Sequence, residues 1–102
     1  MLGLVAAASA QETSRTIMIN RDTKISGQSL SKGSYTIKYT EGEDGEIVFV
    51  KGKQEVAKAS YKWSKLSAKP SDTSVVYAVA EDGSYTIKRI EIKGKEYALA
   101  LQ

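Results

Sequence analysis

The 102-residue chain contains no cysteine and no histidine, and a single proline. Without cysteine there is no disulfide framework, no thiol redox chemistry and no thiolate metal site. Without histidine the commonest zinc ligand, general base and physiological pH switch are all gone. Much of enzyme chemistry is thereby excluded, and the expected reading is a non-enzyme with no cofactor. No apolar run approaches the ~18–20 residues that a membrane-spanning helix needs. Charge of one sign does not dominate either. Lys and Arg number 15 and Asp and Glu 12, a net charge of +3. Both signs are interspersed, and the few arginines are scattered, whereas a nucleic-acid binder clusters its basic residues on one element. No nucleic-acid partner is expected.

What is present points to one domain. The length suits a single core, and 41% apolar residues is too many for a disordered chain. The first ten residues, MLGLVAAASA, carry no charge. Ala8-Ser9-Ala10 matches the small-x-small cleavage signature of a secretory leader, and polar Gln11–Ser14 follows as a mature N-terminus would. The basic leader segment is missing, and the leader is expected to begin upstream of Met1. Residues 1–10 are thus read as a signal-peptide remnant and 11–102 as one β-domain, periplasmic or extracellular. Secretion permits disulfides without requiring them.

Beyond Ser14 the hydrophobic period is two, and Thr, Val, Ile and Tyr abound, as pleated half-buried strands prefer. Strands are expected at 16–20, 23–26, 34–40, 46–50, 54–63, 73–80, 84–92 and 96–101. The segment 46–50 is apolar on both faces and belongs in the sheet interior. Lys51-Gly52-Lys53, Asp82-Gly83 and Lys93-Gly94-Lys95 read as hairpin turns. In the strand 84–92 the apolar phase switches from Tyr85 and Ile87 to Ile90 and Ile92, which predicts a β-bulge near Lys88-Arg89. The fold class is all-β, an antiparallel β-sandwich of about seven to eight strands, with a small closed barrel as the alternative. The hexapeptide GSYTIK occurs twice, at 33–38 and 83–88, each time opening a strand after a turn glycine.

Lys24–Ile37, KISGQSLSKGSYTI, carries Ile25, Gly27, Leu30, Gly33, Tyr35 and Ile37 in the pattern I-x-G-x-x-L-x-x-G-x-Y-x-I. It resembles small secreted bacterial all-β domains of unassigned function and, more loosely, prealbumin-like sandwich modules. The segment 82–95 is similar to the C-terminal hairpin of such domains. Where those domains carry Pro-Ala before the second glycine, Ser31-Lys32 stands here. The resemblance implies secretion and an all-β fold, and no activity.

The chemical motifs are weak. Ser29-Leu30-Ser31-Lys32 fits S-x-x-K and Tyr61–Lys65 fits Y-x-x-x-K, but both mechanisms need a helix where strands and turns are expected. Glu41, Glu43, Asp44 and Glu46 form an acidic hairpin tip without the spacing of a calcium loop. Lys51, Lys53, Lys93 and Lys95 sit at two turn tips, and would attract a polyanion if both tips lay at one end. Five of the six tyrosines are in phase with core aliphatics. Tyr61 and Trp63, flanked by Lys62 and Lys65 beside an irregular loop, are the candidate ligand contacts. The leading expectation is a secreted or periplasmic non-catalytic β-module whose partner is a protein or envelope component. The alternatives are a homo-oligomeric subunit pairing through its N-terminal strand, 16–20, and a carbohydrate-binding module.

Overall fold

The computed structural model describes residues 12–101; the predicted leader, 1–10, lies outside them. The strands are β1 (Glu12–Ile19), β2 (Thr23–Ile25), β3 (Gln28–Leu30), β4 (Gly33–Thr40), β5 (Gly45–Lys51), β6 (Gln54–Lys65), β7 (Ser74–Val79), β8 (Tyr85–Glu91) and β9 (Tyr97–Leu101). The described residues contain no helix. All nine strands join one sheet in the order β1-β4-β5-β6-β9-β8-β2-β3, with β7 on the second edge of β8. The sheet curls around a single core without closing into a barrel, which leaves the sandwich-like reading and removes the closed-barrel alternative.

Alternation does most of the work. Tyr35, Ile37 and Tyr39 of β4 and Ile47 and Phe49 of β5 are all buried, and Ala57, Ala59 and Tyr61 continue the inward face on β6. Each large side chain withdrawn from water contributes about 1.5–3 kcal/mol. As its two apolar faces require, β5 lies in the sheet interior, between β4 and β6. The predicted bulge is present. Val76 faces Arg89 and Tyr77 faces Ile87, so Lys88 is the extra residue. That one-residue slip lets both Ile87 and Ile90 reach the core. A second irregularity leaves Val56 unopposed between Ala57, which faces Phe49, and Glu55, which faces Val50.

Two elements differ from expectation. β1 begins at Glu12, not Thr16, because its first inward positions, Thr13 and Arg15, are polar and hide the period. β3 is absent from the expected strands, since Leu30 is its only apolar residue. It pairs with β2 through a two-residue turn in which Ser26 has φ 47° and Gly27 φ 82°. Both central positions of such a turn need positive φ. Glycine takes it freely, and serine at some cost.

Strand directions settle one conditional. β5 and β8 are an odd number of antiparallel steps apart, so they run oppositely. The turn at Lys51–Lys53 and that at Lys93–Lys95 therefore sit at opposite ends, and the four lysines form no common patch.

Candidate functional site

The residues singled out from the sequence do not converge. Tyr61 is 2% exposed. Its hydroxyl donates to the Thr40 carbonyl (2.6 Å) and accepts from the Thr40 N–H (3.1 Å). The ring packs beside Gly45, its cross-strand neighbour. Burial, the larger effect, raises its pKa despite the opposing Thr40 backbone hydrogen bond. Tyr61 is a strand-bridging core residue, its side chain withdrawn from solvent. Lys62 is one residue out of phase with Tyr61 and Trp63, on the outer face. Trp63 is half-buried, and one face of its ring stacks on Tyr97 at 3.7 Å between centroids. Its backbone N–H donates to Asp44 Oδ1 at 2.7 Å. Lys65, at the end of β6, pairs with Tyr97 in the strand register. The acidic tip thus has a structural task in Asp44, and Glu41 accepts a hydrogen bond from the Tyr97 hydroxyl.

Around Tyr97 the aromatic cluster is tight. The Tyr39 and Tyr97 hydroxyls lie 3.0 Å apart, and the Tyr39 ring meets Tyr61 and Tyr97 edge-on. Burial first, then the bonds to Glu41 and Tyr39, raise the Tyr97 pKa far above the ordinary tyrosine value. Arg15 points in from β1, its Nε buried without a partner. The Tyr39 hydroxyl holds the guanidinium more firmly protonated, against the opposing effect of burial. This end of the fold is closed by its own side chains.

The opening lies elsewhere. β6 has twelve residues, and β9 pairs with only its last five, from Lys65↔Tyr97 to Tyr61↔Leu101. On the far side, β7 occupies one edge of β8 along its length. β9 and β2 share the other edge: β9 takes Arg89–Glu91, and β2 takes only Thr86 through Lys24. Among the described residues, β9 joins β6 only from Tyr61 onward and β8 only from Arg89 onward. A cavity of about 350 Å³ sits there, lined by Ile25, Ala59, Ile87 and Leu101 from the core side and by Lys24, Ser26, Ala78, Thr86 and Lys88 from the rim. That is at the lower end of the roughly 300–1,000 Å³ typical of ligand pockets. The β2–β3 hairpin leans toward β6 and bounds the opening.

A second hollow, about 480 Å³, flanks the other side of β2 between the β2–β3 hairpin and the β7–β8 turn. Most of its polar groups already serve the fold. Thr23 donates to the Arg21 carbonyl, Asp22 accepts from the Lys32 N–H, and Ser84 donates twice to Asp82. Those two bonds and Lys24, 3.6 Å away, hold the Asp82 carboxyl below its usual value. Ser29 and Lys32 lie on β3 and in the following turn, not one helical turn apart, which removes the acylase geometry. Among the described residues no cluster of three or more acidic side chains is placed to hold a metal ion.

Comparison with family models, curated proteins and solved structures gives no match. The cavity beside Ala59 is the feature that reasoning from sequence missed. The signal was there in part: the inward face of β6 changes from small Ala57 and Ala59 to large Tyr61 and Trp63.

Proposed function

We propose that this chain is an exported, periplasmic or extracellular, non-catalytic β-module that binds a partner protein by accepting an extended segment of it along β6. One observation carries the reading: a cavity of about 350 Å³ opens beside Ala59 of β6, between that strand, β8 and the β2–β3 hairpin. An unpaired sheet edge supplies main-chain donors and acceptors, and an adjoining pocket supplies side-chain selection. The Ala8-Ser9-Ala10 signature supports export. Pairing of neighbours through the N-terminal strand is the second reading: β1 ends the sheet order and is registered with β4 on one edge only among the described residues. A carbohydrate platform at Tyr61 and Trp63 loses its support with the burial of Tyr61.

Amide NMR with a panel of blocked hexapeptides of alternating leucine and polar residues tests the binding mode. Shifts are expected at Ala57–Ser60 and Leu101. Shifts confined to other strands, or none, overturn it. Export is tested separately by cell fractionation and N-terminal sequencing, with Gln11 expected as the first residue.

A further inference from the structure

The hollow of about 480 Å³ between the β2–β3 hairpin and the β7–β8 turn has walls that lie well inside residues 12–101. Both copies of the repeated hexapeptide GSYTIK meet it. In the first copy the tyrosine is fully used. Tyr35 is buried, its hydroxyl donates to the carbonyl of Ser31, a wall residue, and the Lys51 ammonium stands 4.5 Å from its ring centre. In the second copy Tyr85 is itself a wall residue and only half-buried. Arg21 lies over its ring at 4.4 Å and holds it in place. The Tyr85 hydroxyl has no hydrogen-bond partner among the described residues. The same six residues thus make a closed anchor once, and an open donor and acceptor the second time.

Other wall groups are uncommitted in the same way. The Ser29 and Ser31 hydroxyls have no partner among the described residues. Asp22 gives Oδ1 to the Lys32 N–H and keeps Oδ2 unbonded. Thr23, only 3% exposed, sends its proton to the Arg21 carbonyl, so toward the hollow it can only accept. Lys24 can only donate, and its exposed pair with Asp82, at 3.6 Å, holds it weakly. Leu30, buried, is the one purely aliphatic side chain of the walls.

Three ligand chemistries compete for such walls. An apolar molecule would strip water from the hydroxyls and the carboxylate without replacing the lost hydrogen bonds, which is costly. An anion gains from Lys24 but meets Asp22, so the wall charges offer it no net attraction. A neutral polyol suits both. Each of its hydroxyls donates and accepts, as acceptor-only Asp22 and Thr23, donor-only Lys24 and the two-way Ser29 and Tyr85 together require. A sugar ring adds C–H faces for Leu30 and the Tyr85 ring to cover. We propose that this hollow binds a neutral pyranose unit, with Asp22 accepting, Lys24 donating, and the Ser29 and Tyr85 hydroxyls completing its hydrogen bonds. The site lies across β2 from the cavity beside Ala59, and neither depends on the other.

The probes are methyl glycosides of neutral hexoses and N-acetylhexosamines and the β-linked disaccharides of each, with glycerol and inorganic phosphate as the competing chemistries. Each is titrated against the full chain by amide NMR. At least one glycoside is expected to shift Thr23, Ser29, Ser31 and Tyr85 saturably, in the millimolar range. Tighter binding of its disaccharide marks a glycan as the source, and equal binding a free sugar. Ser29→Ala and Tyr85→Phe remove hydroxyls that the fold does not use. Both variants should keep the denaturation midpoint of the unaltered chain, and each should weaken binding roughly two- to ten-fold. Absence of a saturable shift at these residues with every glycoside overturns the proposal. Phosphate binding tighter than all of them, glycerol matching them, or both variants binding as the unaltered chain does would overturn it equally.

Discussion

Replacing Tyr61 by phenylalanine tests the reassignment of this residue from ligand contact to structural bridge. The substitution deletes one oxygen and keeps the ring, so the apolar area buried beside Gly45 and Tyr39 is unchanged. What is lost is a pair of hydrogen bonds to one residue: the donation to the Thr40 carbonyl at 2.6 Å and the acceptance from its N–H at 3.1 Å. Thr40 lies two strands away, at the end of β4, so the hydroxyl ties β6 to β4 across β5. Leaving a buried polar group without a partner costs about 1–3 kcal/mol. Thr40 is half-buried, and water can recover part of that for each group. The expected loss is about 2 kcal/mol in total, or roughly 8–16 °C in Tm for a domain of this size. Urea denaturation measures it, with the slope m unchanged because the surface exposed on unfolding is the same. The matched control is Tyr35→Phe, whose hydroxyl makes a single bond, to the Ser31 carbonyl, and which should cost about half as much. A Tyr61→Phe midpoint indistinguishable from that of the unaltered chain would show that the hydroxyl is solvated. Tyr61 would then return to the list of accessible surface groups.

Four further outcomes are expected. Tyr61 and Tyr97 have raised pKa values in the folded state, so their contribution to stability is complete below the ordinary tyrosine value of 10.0 and is lost as pH rises above it. Tyrosinate absorbance should show both titrating only as the fold opens; reversible titration of all six tyrosines near pH 10 in a folded protein would contradict this. Asp82 has a lowered value, from its bonds to Ser84 and then Lys24. Its contribution is present above the usual aspartate value of 3.8 and fades as pH falls through the folded value, so Asp82→Asn should flatten the acid limb of the stability profile. Ser26→Gly relieves the positive φ of a non-glycine residue; offset by glycine's extra unfolded-state freedom, it should stabilise the chain by up to about 1 kcal/mol in thermal denaturation. Ala59→Leu should fill the cavity beside Leu101, abolish peptide-induced shifts at residues 57–60, and leave stability unchanged or about 1 kcal/mol higher.

Much of the fold was legible because its signals are local. Alternation at 34–40, the apolar stretch at 46–50 and the glycine turns each announce themselves within a few residues. The slip at Lys88 was readable for the same reason: Tyr85 and Ile87 on one phase, and Ile90 and Ile92 on the other, cannot share one face without an extra residue. β3 was not legible, since three residues with one apolar side chain carry no period. β1 was half legible, because Arg15 and Thr13 occupy inward positions at the closed end and look like surface residues in the sequence. The misplacement of Tyr61 has a different origin. Tyr61 is in phase with the inward Ala57 and Ala59, but the flanking lysines suggest a surface. Lys62 is simply on the opposite face of a strand, where a neighbour in sequence is not a neighbour in environment. The cavity was least legible of all, because it depends on how β2, β6 and β8 stand to one another, a relation between segments far apart in the chain.

That dependence explains why an opening is tolerable in a small domain without disulfides. The β2–β3 hairpin, which bounds it, reaches β8 through one bridge, Lys24 to Thr86, and the exposed pair Lys24–Asp82. Exposed ion pairs are worth about 0–1 kcal/mol, so the hairpin owes its place mainly to Ile25 and Leu30, both buried. Two aliphatic side chains hold it, against the eight-residue ladder of β1 with β4 and the seven-pair ladder of β5 with β6. Local opening concentrates where apolar contacts and ladder bonds are fewest, which puts the mobile boundary of the cavity on the side opposite β6. A segment entering along β6 would thus meet a fixed edge on one side and a yielding wall on the other. Binding and hairpin stability are then linked: whatever loosens the hairpin weakens binding, and a bound segment protects the amides of 23–30 from exchange along with those of 57–60. A segment that protected only β6 would show instead that the hairpin is already held as firmly as the rest of the sheet.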